Sequence, residues 1–119
     1  MAQSKPFDMD DLTKRMKVIR PMGLLYTDFT ELTYARGTKK AFLMAFVDHQ
    51  TKYMLGWAVG PSDNTKLALE AWDSAKRRLR RYGIKLRKVV VHQDQDGVYT
   101  GHEWLHALRV RDGVRISYS

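Results

Sequence analysis

The sequence of 119 residues contains no cysteine and no long apolar run. Without cysteine the chain can form neither disulfide bonds nor thiolate zinc sites, so any metal ligand must be Asp, Glu or His. That restriction favours ions that prefer oxygen ligands, such as Mg²⁺. No apolar run reaches the roughly 18 residues of a membrane-spanning helix, and residues 1–11 lack the apolar core of a signal peptide. We therefore expect a cytoplasmic protein with no membrane partner.

Acidic residues are outnumbered by basic ones, with 13 Asp and Glu against 21 Lys and Arg and a net charge of +8. An excess of this size in a small chain indicates a polyanionic partner such as nucleic acid, although an anionic membrane surface or solubility alone would also account for it. With 44% hydrophobic and 29% charged residues, the chain has the composition of a folded domain and not of a disordered basic tail.

Three segments near the start of the chain have the composition of β-strands. Residues 24–32 are rich in aromatic and β-branched side chains, residues 41–47 are apolar on both faces, and residues 53–59 follow after a short turn. Because the connections between them are short, we predict an antiparallel meander.

The hydrophobic period then changes to that of a helix. Apolar residues from Ala68 to Tyr82 recur at intervals of three and four, after cap candidates at residues 62–64, and predict a helix that ends at Gly83. Residues 89–91, all valine, predict a short buried strand.

The last part of the chain predicts one more helix and one more strand. Thr100 with Glu103 matches a capping box for a helix that ends near Gly113, and residues 114–118 alternate as a final strand. The predicted order is β-β-β-α-β-α-β over a core of residues 21–119, after a lead-in segment, residues 1–20.

Two aspartates in this arrangement are candidates for chemistry. A right-handed crossover through the first helix would place the fourth strand parallel to the first, so Asp28 in strand one could approach Asp94, just after strand four. Each also has a plainer interpretation, since Asp28 could bond to a neighbouring loop and Asp94 and Asp96 could belong to a polar turn closed by Gly97. The functional interpretation is a metal site or a general base with a second carboxylate nearby.

Three motifs in order resemble the catalytic core of DDE transposases and retroviral-type integrases, and most of all the bacterial insertion-sequence branch. They are residues 25–32 (LYTDFTEL), residues 46–57 (FVDHQTKYMLGW) and residues 92–100 (HQDQDGVYT). The similarity extends over residues 11–119.

The resemblance implies an RNase H-like α/β fold with a mixed five-stranded sheet, and an enzyme that cleaves DNA and transfers strands in transposition or integration. In that family two Asp and one Glu hold a pair of Mg²⁺ or Mn²⁺ ions. By this analogy Asp28 bridges both ions and Asp94 holds one of them.

The sequence departs from the family pattern at two points. Asp96 stands where the family has glycine, which adds a carboxylate near the expected metal site. The third acid, a Glu on a helix after the last strand, has no counterpart, because the sequence ends at Ser119 before that helix. We therefore expect a core that is incomplete at its C-terminus, inactive or weak by itself, and prone to self-association.

Several basic residues are expected to contact the phosphates of DNA, alongside His92 at the end of strand four. The expected contacts are Lys39, Lys40, Lys52 and Lys88, with Lys85 and Arg87 nearby. For each of these basic residues taken singly, solvated surface charge is the favoured interpretation, and His92 could be buried at the strand end. No small-molecule substrate is expected.

Two other functions remain open on sequence grounds. One is an RNase H-like nuclease in which Glu70, on the first helix, completes an acidic set with Asp28 and Asp94. The other is a catalytically inactive remnant that binds nucleic acid.

Overall fold

Strands from both halves of the chain form one mixed sheet in the computed structural model, which describes residues 22–94, 98 and 101–118. The strands are β1 (Leu24–Tyr34), β2 (Lys39–Asp48), β3 (Met54–Gly60), β4 (Val90–Gln93) and β5 (Arg115–Tyr118). They lie in the order β3-β2-β1-β4-β5, with β1 to β3 antiparallel and with β4 and β5 parallel to β1. This confirms the predicted mixed sheet. The predicted lead-in, residues 1–20, lies outside the described residues.

The central strand β1 is much longer than its neighbour β4. It has 11 residues against four in β4. Backbone pairs with β4 involve only Leu24, Leu25 and Tyr26, whereas β2 pairs with β1 from Leu25 to Tyr34. The second half of β1 therefore projects beyond the end of β4.

Helix α1 (Thr65–Arg81) connects β3 to β4. The side chain of Asn64 caps its first turn by accepting a hydrogen bond from the Leu67 N–H at 3.0 Å, and Gly83 follows its end with a φ of 74°. The helix packs closely on β3, because a Cβ added to Gly56 would lie 2.3 Å from the backbone nitrogen of Ala75. Glycine at this position allows the backbones to approach.

The helix described between β4 and β5 begins one residue later than the predicted capping box. Helix α2 (His102–Leu105) continues into a π-helical turn (His106–Arg111). Gly101 is its N-cap residue and has no side chain to cap the helix, so Glu103 does not occupy the third position that a capping box requires. Thr100 lies outside the described residues. Within the described part of the chain, no helix is long and apolar enough to cross a membrane.

Helices α1 and α2 cover the same face of the sheet. The connections from β3 to β4 and from β4 to β5 move in the same direction across the sheet, so two right-handed crossovers lie on one side. Trp72 from α1 and Trp104 from α2 contact Phe46 of β2, with ring centroids 5.3 Å and 6.1 Å apart. These three fully buried rings form the centre of the core.

A charged cluster joins α1 to the end of the π-helical turn. The Asp112 carboxylate accepts a hydrogen bond from Trp72 Nε1 at 2.8 Å and pairs with Lys76 at 3.2 Å and with Arg111 at 3.0 Å. Burial by itself raises the pKa of Asp112, but hydrogen bonds from these three partners outweigh burial and hold that pKa below its ordinary value of 3.8. The folded state therefore stabilises the ionised carboxylate.

We expect Asp112→Asn to lower the free energy of unfolding at neutral pH by about 2 kcal/mol, the range of hydrogen bonds to a charged group. Because the pKa of Asp112 is depressed on folding, its contribution is complete above the unfolded-state value near 3.8 and is lost as the pH falls through the folded-state value. Urea unfolding of both proteins in neutral and acidic buffers measures this. The exposed Asp63→Asn is the control, and a difference that persists unchanged in the most acidic buffer would contradict the assignment.

Candidate metal centre

Asp28 lies on the part of β1 that projects beyond β4. It pairs with Ala45 on the β2 side, and its exposed carboxylate accepts a hydrogen bond from the Thr30 hydroxyl at 3.3 Å. At Asp28 the backbone of β1 pairs with β2 on one side, and the strand has passed the end of β4 on the other, so the side chain is accessible.

Asp94 is the first residue after β4 and is also exposed. The last parallel pair between β1 and β4 is Tyr26 with His92. Two residues further along each chain are Asp28 and Asp94. Since neighbouring strands lie about 4.8 Å apart, this register allows the two carboxylates to approach each other at the carboxyl end of β4.

A cavity of about 400 Å³ opens beside Asp94. The residues that line it are Tyr26, Thr27, His49, Lys52, His92, Gln93 and Asp94. Asp28 is not part of this lining and lies next to it along β1. The Lys52 ammonium lies 5.8 Å from the centre of the Tyr26 ring and brings a positive charge to the same cavity. The cavity therefore combines a carboxylate, a cation and two imidazoles.

His92 is buried at the end of β4, one of the two interpretations that the sequence left open. Its Nδ1 shares a hydrogen bond of 2.7 Å with the Ser117 hydroxyl of β5. His92 also lines the cavity, so the phosphate contact predicted for it remains a prediction.

Asp48 is a site residue whose role the sequence did not reveal. It is fully buried, and its carboxylate accepts hydrogen bonds from the Met22 N–H at 2.9 Å and from the Thr51 N–H and hydroxyl at 3.1 Å and 2.6 Å. These bonds hold the turn that carries His49 and Lys52 against the start of β1. An Asp followed three residues later by Thr is a local signal for such a turn.

Gln93 is a second residue that the sequence did not single out. It immediately precedes Asp94, is 2% exposed, and accepts a hydrogen bond from Trp104 Nε1 at 2.9 Å. The bond connects the end of β4 to helix α2 across the segment that begins with Asp94. It therefore fixes the position of the residue that immediately precedes Asp94.

The lysines predicted to bind nucleic acid are not gathered at one place. Lys52 lines the cavity beside Asp94, but Lys39 and Lys40 pair with Tyr34 and Thr33 at the far end of the β1–β2 hairpin. Lys40 forms an ion pair with Glu31 at 3.0 Å. Lys88 precedes β4, at the end of the sheet opposite Asp94.

The alternative acidic set with Glu70 is not assembled. Glu70 is exposed on α1 and lines a different cavity, of about 210 Å³, beside the loop between β3 and α1. Within the described residues, no three His, Asp or Glu side chains come close enough to hold a metal ion. Asp96 lies outside the described residues.

Two carboxylates fit Mg²⁺ binding in this setting. Mg²⁺ keeps several of its water ligands and is commonly held by one or two carboxylates together with substrate phosphates. Asp28 and Asp94 are exposed hard oxygen donors at the carboxyl end of a parallel strand, where α/β sheets usually bind ligands.

A family model described as the integrase core domain matches residues 19–119. The chain therefore belongs to the integrase core domain family, which confirms the resemblance found in its three motifs. Sequence comparison with curated proteins finds no match.

Solved structures of integrases and transposases share the RNase H-like fold. The HTLV-2 integrase catalytic core domain in complex with magnesium has a TM-score of 0.64 and 14% identity, with 83% of this chain and 60% of that chain covered. The catalytic domain of Mos1 mariner transposase has a TM-score of 0.66 and 14% identity, with coverages of 89% and 52%. The simian T-cell lymphotropic virus intasome in complex with PP2A regulatory subunit B56 gamma has a TM-score of 0.64 and 17% identity, with 83% of this chain and 32% of that chain covered. The chain thus spans about 60% of the HTLV-2 core.

We expect Gln93→Leu to lower the free energy of unfolding by about 1–3 kcal/mol, because the buried Trp104 N–H loses its acceptor. Combining it with Trp104→Phe should be less destabilising than the sum of the two single changes, since the double variant removes donor and acceptor together. Urea unfolding of the four proteins measures the coupling. Strictly additive free energies would show that the hydrogen bond is not a stabilising contact.

Proposed function

We propose that this chain carries the metal-binding carboxylate pair of a DDE-type polynucleotidyl transferase, an intracellular enzyme that cleaves DNA and joins DNA strands in transposition or integration. The observation that carries the proposal is the parallel register of β1 and β4, in which Asp28 and Asp94 are both two residues beyond the last pair. Membership of the integrase core family supports DNA as the substrate.

In this proposal Asp28 and Asp94 hold Mg²⁺ or Mn²⁺. Paired divalent ions, when bound, activate a water or a DNA 3′-hydroxyl and stabilise the leaving oxygen of the phosphodiester. Asp28 supplies a carboxylate from β1, where the strand pairs with β2, and Asp94 supplies one from the position next to the buried Gln93. Lys52 gives the adjoining cavity a positive charge, which favours a phosphate there.

The nuclease hypothesis with Glu70 has less support, because Glu70 lines a separate cavity. A catalytically inactive nucleic-acid-binding protein is the interpretation that would replace the proposal if no metal site were found.

Titration calorimetry with Mn²⁺ and Mg²⁺ tests the carboxylate pair. We expect the wild-type chain to bind Mn²⁺, and Asp28→Asn and Asp94→Asn each to weaken binding at least about tenfold, which corresponds to about 1.4 kcal/mol. The reason is that each change removes one of two anionic oxygen ligands.

Asp63→Asn is the matched control, since Asp63 is exposed in the loop before α1. It should leave the metal affinity unchanged. Equal affinity in all four proteins, or no binding by the wild type, would overturn the proposal.

We also propose that the chain associates with a second copy of itself through one end of the sheet face opposite the helices, at residues of β1 and β3 that lie beyond Asp28 toward the β1–β2 turn. Three apolar side chains share this area by strand register and are well exposed: Leu32 39%, Tyr34 53% and Val59 57%. Asp28 lies on the same face and outside this area. Exposed apolar side chains grouped in this way are typical of interaction surfaces. The HTLV-2 integrase core domain is described in dimeric and trimeric forms, which supports a like partner.

Sedimentation velocity over a range of concentrations measures this association. We expect wild-type protein to sediment faster as concentration rises, and Tyr34→Ser with Val59→Ser to remove most of that dependence by removing apolar contact area. Val110→Ser, at a residue 70% exposed on the π-helical turn, is the control and should behave as wild type. A wild-type chain that stays monomeric throughout would refute the proposal.

A further inference from the structure

The positive charge of the chain is concentrated in one stretch. Residues 74–93 contain eight Lys and Arg and no Asp or Glu, a surplus as large as the +8 of the whole sequence. Outside this stretch, Lys40 forms an ion pair with Glu31 at 3.0 Å and Arg111 forms one with Asp112 at 3.0 Å. Segregation of one sign of charge indicates a polyanionic ligand more specifically than net charge does.

Two of the eight basic side chains are used inside the fold. Lys76 pairs with Asp73 and Asp112, both at 3.2 Å. Arg78 donates a hydrogen bond to the Leu55 carbonyl at 3.2 Å and lies 4.5 Å from the centre of the Trp57 ring. The remaining six are all exposed, and we call them the basic surface: Arg77, Arg80, Arg81, Lys85, Arg87 and Lys88.

Helix electrostatics explain only part of this surface. Cations in the last turn of α1 interact favourably with the negative end of the helix dipole, which accounts for Arg80 and Arg81. Lys85, Arg87 and Lys88 lie beyond the end of the helix, so that effect does not account for them.

The chain folds back after α1 so that the two parts of the basic surface lie together. The N–H groups of Gly83 and Ile84 donate to the carbonyls of Arg80 and Leu79, at 3.0 Å and 2.9 Å. Lys85 and Lys88 then line one shallow cavity of about 250 Å³ with Gly83 and Ile84.

Other charged groups lie at this end of the sheet, and within the described residues they are one further cation and three acids. Exposed Arg115 of β5 pairs with Val90 and adds a further cation at the start of β4. The acids of the described chain at this end are Asp48, Asp73 and Asp112. Asp48 and Asp112 are held by the hydrogen bonds and ion pairs given above, and Asp73 pairs with Lys76 at 3.2 Å and with Arg111 at 3.8 Å.

We propose that the basic surface is a second contact for duplex DNA, which it holds by the phosphate backbone without reading sequence. Four of its six residues are arginines, whose planar guanidinium groups bind phosphate oxygens in pairs. The surface precedes β4, whereas Asp94 follows it, and four residues of strand between Val90 and Asp94 span about 13 Å. A phosphate bound here is therefore not the one at the carboxylate pair, and this surface contacts a separate part of the DNA. The choice of DNA as the polyanion rests on the proposed function.

Fluorescence anisotropy with a short labelled DNA duplex of arbitrary sequence, repeated over a series of salt concentrations, tests the surface. The test variant is Arg77→Gln/Arg81→Gln/Lys85→Gln. We expect it to bind at least about tenfold more weakly at low salt, with the slope of log K against log salt shallower by about 2–3, since each lost phosphate contact removes about 0.9.

The matched control removes three exposed charges elsewhere, in Arg36→Gln/Lys66→Gln/Arg109→Gln. Its slope of log K against log salt should differ from that of the wild type by no more than about 0.9, the value of one phosphate contact. An equal loss of affinity and slope in both triple variants would overturn the proposal, because net charge alone would then explain binding. The proposal would also be overturned if the test variant lost binding to vesicles of anionic phospholipid but kept wild-type affinity for the duplex, because the surface would then bind lipid and not DNA.

Mn²⁺ titration of the same variants separates this proposal from that of the metal site. The test variant should bind Mn²⁺ as the wild type does, because the changed residues lie at the other end of the sheet. Loss of DNA affinity with or without a functioning metal site supports the surface. If urea unfolding shows that the triple variant is not folded, the single variants Arg77→Gln and Lys85→Gln replace it in the salt series. Salt slopes equal to that of the wild type in both single variants would refute the proposal.

Discussion

The candidate site depends on three parallel backbone pairs between β1 and β4. A parallel neighbour requires a crossover, which α1 provides by packing on β3 at Gly56, where the backbones touch. Where α1 lies determines where β4 can join the sheet. The short β4 then ends beside the middle of β1, and the two aspartates follow at the same level on neighbouring strands.

Buried polar contacts position the segments around that strand end. Asp48 fastens the β2–β3 turn to the start of β1, Gln93 connects the end of β4 to α2, and His92 connects β4 to β5. A buried polar group is costly without a partner and directional with one, so each contact favours a single arrangement. The exposed carboxylates of Asp28 and Asp94 thus lie next to backbone segments that buried hydrogen bonds hold in place.

Charge divides the sheet into two ends with different chemistry. The exposed acids Asp28 and Asp94 lie beyond the carboxyl end of β4, while the basic surface lies before its start. In the fold these features are separated by the length of one short strand. A polyanion as long as duplex DNA could contact both ends, whereas a single phosphate could not.

The sequence by itself determined the elements and the identity of the two aspartates, because hydrophobic periods, the Asn64 cap and the turn at Gly83 are local signals. The family motifs also marked Asp28 and Asp94 as residues of interest. Only the tertiary structure decided that Glu70 faces another cavity, that His92 is buried against Ser117, and that Lys39 and Lys88 lie at distant points. It also showed what Gln93 and Asp48 hold in place. These outcomes depend on strand register and on the packing of α1, which bring together residues that no local pattern relates.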